Sequence, residues 1–172
     1  MGEFTNHISI LSYAFTQEEG IEQEVDASAT YYDMKMSNDA EELDITKTFT
    51  TNTGIGTNLP AGKFFTNVVG TYFFNLGFTF TGVASAKYKI RATLNSVEID
   101  QSVIEFTTRG TGVMWEVGMT FLVKCDYDPN LTPTRTNGLY SSKNTIVIQY
   151  QNVAGEGNLQ MVNGLWNVTK ID

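Results

Sequence analysis

The sequence predicts an all-β protein, an antiparallel sandwich of two sheets, and three observations carry that expectation. First, Tyr72, Phe74, Leu76, Phe78 and Phe80 alternate with Asn75, Gly77, Thr79 and Thr81, with Phe73 as the one exception. After a break at Gly82-Val83-Ala84-Ser85, Tyr88, Ile90, Ala92 and Leu94 alternate with Lys87, Lys89, Arg91 and Thr93. A period of two sends one set of side chains to a buried face and the other to water, as in an antiparallel sheet wetted on one side. Second, no helical period of ten or more residues follows Asp26. Third, about eight or nine short alternating segments are separated by turn-forming clusters, the spacing of a two-sheet β architecture.

In chain order, Met1 to Phe15 opens with Ile8, Ile10, Leu11, Tyr13 and Phe15, too apolar for a free tail. Gln17 to Asp26 holds Glu18, Glu19, Glu22, Glu24 and Asp26 around Gly20, which reads as an acidic linker or an exposed turn of helix. The expected division is a 1–28 attachment segment followed by a 29–172 head. Tyr32, Met34 and Met36 mark a first strand ending at Ser37-Asn38-Asp39, and Thr46 to Gly62 is rich in the Thr, Asn and Gly of loops and short edge strands. Asn95-Ser96 is a hairpin turn into Val97 and Ile99, and a short strand is expected from Ile104 to Thr107. Phe121, Val123, Cys125 and Tyr127 alternate within a long strand from Val113, in which Gly118 is expected to mark a bulge. Asp128 to Lys143 is a polar connection with Pro129, Pro133 and Gly138. Ile146, Ile148 and Tyr150 form the next strand, and Leu159 to Ile171 is apolar at both parities around Gly164, which fits either burial on both sides or a bulge. The element count suits a sandwich or a jelly roll.

Composition narrows the functional classes. A length of 172 residues suits one domain. The net charge is −8 with cations clustered only at Lys87, Lys89 and Arg91, which argues against a nucleic-acid partner, since phosphate binding needs a basic surface. One cysteine, Cys125, leaves no intramolecular disulfide and no multi-cysteine metal site. No apolar run approaches the roughly 20 residues of a membrane span, and the N-terminus lacks the basic start and apolar core of a signal peptide. The expectation is therefore synthesis and assembly in a cytoplasm, without membrane insertion.

Four motifs in order carry a resemblance: Gly70-Thr71-Tyr72-Phe73-Phe74; Tyr88-Lys89-Ile90-Arg91-Ala92-Thr93-Leu94-Asn95; Trp115-Glu116-Val117-Gly118-Met119-Thr120-Phe121; and Leu165-Trp166-Asn167-Val168-Thr169-Lys170-Ile171. From Ala29 onward the chain resembles the TNF-like jelly roll of complement and collectin-type heads and of many bacteriophage and viral fibre, spike and tail proteins. A terminal Gly-Phe-Leu-Leu strand and a collagen repeat, both features of the animal versions, are missing, which favours the viral branch. The resemblance implies a homotrimer whose inner sheet holds the strands near Tyr32, Phe74, Phe121 and Trp166.

Catalytic patterns are weak. His7 is the only histidine, and no Gly-x-Ser-x-Gly elbow exists on which to build a triad. Gly56 to Lys63 departs from a phosphate loop in spacing and in Phe64. Asp126, Asp128 and Asn130 begin like a calcium loop, but Leu131 and Asn137 stand where a glycine and a closing glutamate belong, so Asx turns are preferred and no metal or cofactor is expected. Glu98, Asp100 and Glu105 could furnish a carboxylate pair for glycoside cleavage, or simply line a solvated face. The sequons at Asn130 and Asn167 occur at chance level.

The expected function is a non-enzymatic virion protein, a trimeric fibre, spike or tail head that attaches to a host-surface receptor or saccharide. Its candidate receptor loop comprises Asp126, Tyr127, Asp128, Asn130, Arg135, Asn137 and Tyr140, and its candidate trimer seam comprises Phe73, Trp115 and Trp166, with other virion proteins held through the N-terminal segment. A carbohydrate-binding module or adhesin, binding as a monomer through exposed aromatics, is the first alternative. A glycan-degrading enzyme with facing carboxylates is the second.

Overall fold

The computed structural model describes residues 9–23, 30–36, 55–58, 62–66, 69–126, 134–136, 139–141, 144–154 and 159–171. Two antiparallel sheets pack face to face. The first, in order β1-β13-β5-β9, joins Ser9–Gln23, Leu159–Lys170, Gly70–Thr81 and Trp115–Cys125. The second, in order β3-β4-β12-β6, joins Ile55–Asn58, Lys63–Thr66, Asn144–Ala154 and Lys87–Leu94. β2 (Tyr32–Asp33) pairs with β12 beyond the end of β4, and β7 (Val97–Glu98) and β8 (Ile104–Thr107) follow each other along β6. A separate hairpin pairs β10 (Thr134–Thr136) with β11 (Leu139–Ser141).

The alternation read from the sequence is the alternation of burial. Tyr72, Phe74, Leu76, Phe78 and Phe80 are buried, as are Tyr88, Ile90 and Ala92, while Leu94 packs partly buried at the rim of the core. On β9, Val117, Met119, Phe121, Val123 and Cys125 point inward. The two layers meet through aromatic rings. Phe74 stacks on Phe121 with centroids 4.8 Å apart, and Phe64 of the opposite sheet meets Phe74 edge-on at 5.4 Å. At the other end of the sandwich, Phe106 stacks between Phe80 and Tyr88. Each buried ring contributes about 1.5–3 kcal/mol by burial alone, with offset and edge contacts adding to it.

The turns follow their residues. Asn95 and Ser96 both have positive φ, 49° and 72°, the backbone of a two-residue hairpin whose twist matches its strands. Asn95 also accepts the Thr145 amide on its side-chain oxygen at 2.8 Å, tying the turn to β12. β7 is short because a 3-10 turn, Asp100–Ser102, follows at once. The buried Ser102 hydroxyl donates to the Ile99 carbonyl and accepts the Ala92 amide. Gly62 has a φ of +60°, and a Cβ there would lie 2.5 Å from the Met34 carbonyl oxygen, so only glycine lets the 34–36 segment and β4 meet on one edge of β12.

Three expectations are corrected. The division at residue 28 cuts through the sandwich, because Ser9–Gln23 is a full strand in register with β13, with Leu11, Tyr13 and Phe15 opposite Val168, Trp166 and Gly164. Its end is anchored in the core. Ile21 is buried, and the buried Gln23 side chain exchanges two 2.8 Å hydrogen bonds with the Lys35 backbone. The first strand of that sheet is therefore β1, and Tyr32 belongs to the opposite sheet. Gly118 is no bulge, since β5 and β9 pair without a break and Gly77 faces Gly118. The bulge lies at Val162, between Met161 opposite Phe80 and Asn163 opposite Thr79, and it explains why the last strand is apolar at both parities.

Candidate functional site

Among the described residues, the outer faces of the two sheets present the groups open to solvent, and they differ in chemistry. On the four-stranded sheet, three successive rows run across β13, β5 and β9: Leu165-Gly77-Gly118, Asn167-Asn75-Thr120 and Thr169-Phe73-Leu122. These rows carry no charge. Charges enter toward the ends, with Glu116 opposite Thr79, Lys124 opposite Thr71 and, on β1, the exposed Glu22 opposite Gln160. Phe73, Leu122 and Leu165 are 38%, 47% and 50% exposed, and the glycine pair leaves a shallow dip beside Leu165. Exposed apolar groups on uncharged rows make a patch whose burial desolvates no ion at its centre.

The expected seam residues divide between the faces. Phe73 lies outward. Trp166 is fully buried in the core, in register with Leu76, so it is not a surface residue of the single chain. Trp115, the register partner of Phe80, is half-buried at the strand end, and its enclosed indole N–H meets no hydrogen-bond acceptor among the described residues. The reason is parity. The bulge at Val162 shifts the alternation of β13 so that Trp166 follows the inner residues and Leu165 the outer ones. Leu122 was legible in the sequence as the outer parity of Thr120 and Lys124. Leu165 was hidden by the bulge.

The outer face of the second sheet is polar and internally paired. Lys63 Nζ lies 3.4 Å from Asp33 Oδ2, and Gln149 Nε2 donates to Asp33 Oδ1 at 3.0 Å. Gln149 Oε1 accepts from Arg91 Nε at 3.0 Å, and Arg91 donates to Glu98 at 2.7 Å, with its guanidinium 3.4 Å over the Tyr31 ring. Five side chains thus form one continuous polar chain across β4, β2, β12, β6 and β7. Further along, Lys87 pairs with Glu105 at 2.7 Å, and the hydrogen bond and charge of Lys87 hold the Glu105 carboxyl below its ordinary pKa. Glu98 and Glu105, considered above for glycoside cleavage, are each engaged by a cation, and Asp100 is exposed in the 3-10 turn.

Of the expected receptor loop, Asp126 is exposed. Its carbonyl accepts a hydrogen bond from the Asn144 side chain, and its carboxylate lies 3.5 Å from Lys124. Arg135 and Tyr140 are register partners in the β10–β11 hairpin. Tyr127, Asp128, Asn130 and Asn137 lie outside the described residues, as does His7. Burial pushes the Cys125 thiol pKa up and the nearby Asp126 charge adds to the rise, in keeping with a cysteine packed in the core. Among the described residues no cluster of three or more His, Cys, Asp or Glu comes together, and no helix is long and apolar enough to cross a membrane. No family model matches the chain, and no curated protein matches it.

Proposed function

We propose that the chain is a non-enzymatic virion structural protein, the homotrimeric head of a phage or viral fibre, spike or tail, which attaches to a host-surface receptor or glycan. The observation that carries the proposal is the set of three uncharged rows across β13, β5 and β9 on the outer face of the four-stranded sheet, with Phe73, Leu122 and Leu165 exposed on them. Closed threefold packing centred on those rows would bury all three residues without placing an ion at the middle of the contact and would leave the charged sheet in water.

Connectivity supports the same reading. Leaving out the short edge strands, one sheet runs β1-β13-β5-β9 and the other β4-β12-β6-β8, an order that an eight-stranded jelly roll would give. Attachment would then work by avidity, because three weak sites on one rigid head engage together and raise the effective concentration seen by the second and third.

Sedimentation at micromolar concentration tests the proposal. The expected result is a species of three times the chain mass, converted by Leu165→Glu into a folded monomer. A wild-type monomer would overturn it and bring the carbohydrate-binding module forward.

A further inference from the structure

The second sheet carries a groove of about 530 Å³ on its outer face, within the roughly 300–1,000 Å³ range of small-ligand sites. Strands β12 and β6 form its floor with Thr145, Val147, Gln149 and Thr93. The Asn95-Ser96 turn closes one end, and Lys63 and Asp33 close the other. None of these residues belongs to the expected receptor loop.

We propose that this groove is a binding site for a neutral saccharide. Charge comes first. Each ionic group in or beside the groove already has its counter-ion, Lys63 with Asp33 and Arg91 with Glu98, so a charged ligand would have to displace an internal partner. A neutral ligand need not. Hydroxyl groups both donate and accept, and the groove offers a matching mixture of hydroxyls on Ser96 and Thr145, amides on Asn95 and Gln149, and the remaining donors of Arg91. Val147 supplies an apolar patch for the C–H face of a sugar ring.

Order comes second. The Gln149 amide is held at both ends, its oxygen by Arg91 and its nitrogen by Asp33, and Arg91 is stacked on Tyr31. These side chains surrender little rotamer freedom when a ligand arrives. The inference rests on the attachment half of the proposed function and is independent of its threefold half.

The test is an amide-resolved 1H–15N NMR titration of the full chain with D-galactose, D-glucose and N-acetyl-D-glucosamine, with N-acetylneuraminic acid as the anionic arm. The expected result is a saturable shift with at least one neutral sugar, centred on residues 93–96 and 145–149. Gln149→Met keeps the side-chain length and removes both amide links, and is expected to weaken binding about tenfold or more. Should that variant fail to fold, Thr145→Val, which removes one hydroxyl and suits a strand, replaces it with the same expectation. No shift with any neutral sugar, shifts centred on the 134–141 hairpin, binding of N-acetylneuraminic acid alone, or undiminished binding by the folded variant would each overturn the assignment. Sedimentation of the same sample reports the oligomeric state separately, so a monomer that binds sugar and a trimer that does not are distinct outcomes.

Discussion

The two outer faces of the sandwich are built by the same alternation over one core, yet they treat charge in opposite ways. On the second sheet, Lys63, Arg91 and Lys87 each lie against an acidic partner, and Gln149 links two of the pairs into one chain. On the first, three rows from Leu165 to Leu122 are uncharged and include three exposed apolar side chains. Exposed ion pairs add little stability in water but are expensive to bury, whereas a neutral apolar face is cheap to bury. The difference separates a face suited to remain wet from one suited to meet another protein surface.

Adjacent residues of β13 are expected to respond in opposite ways. Trp166→Glu would place an unpaired carboxylate in the core and remove the largest buried ring, and the chain is expected not to fold, as read by circular dichroism and loss of a cooperative urea transition. Phe78→Ala is next, with an expected loss of about 3–5 kcal/mol in denaturant unfolding through lost burial and a cavity. A loss below about 1 kcal/mol would contradict the inward assignment of that parity.

Leu165→Glu, one residue from Trp166, is expected to leave a folded chain with a cooperative urea transition, because the side chain is half exposed and outside the core. Any effect should instead appear in sedimentation. A large stability loss in the monomeric variant would mean that the outer face is part of the fold rather than a surface.

The smallest effect belongs to the paired face. Lys87 lowers the Glu105 pKa, so the stability from this pair is present above the ordinary carboxylate pKa and is lost as pH falls through the folded-state value. Glu105→Gln should therefore trail the wild type slightly in melting temperature at neutral pH and match it in acid. A difference that persists in acid would place the effect in packing instead of charge.

Much of the fold was legible because an alternating strand states its own buried face. The parities of Phe74, Ile90 and Phe121, the Asn95-Ser96 turn and the short strand at Ile104–Thr107 all stand as read. β1 was misread because its acidic stretch obscured the alternation. The structure places an irregularity there, a register shift between Thr16 and Ile21, so the pairing passes over Gln17 to Gly20 and resumes. At the site, Phe73 announced itself by breaking an alternation, whereas Trp166 misled because a bulky aromatic can serve a core or an interface equally well.

The sequence by itself determined the all-β class of the protein, the inward set of each regular strand and the lack of a cysteine pair for an intramolecular disulfide, because these follow from residue type and a period of two. Only the tertiary structure decided which strands are neighbours, that Ser9–Gln23 completes the first sheet, that Leu165 rather than Trp166 faces outward, and that Lys63, Asp33, Gln149, Arg91 and Glu98 line up across five strands. Register depends on pairing between residues far apart in the chain. A single inserted residue such as Val162 reverses the face of everything beyond it, and no local pattern reports the strand against which that residue is counted.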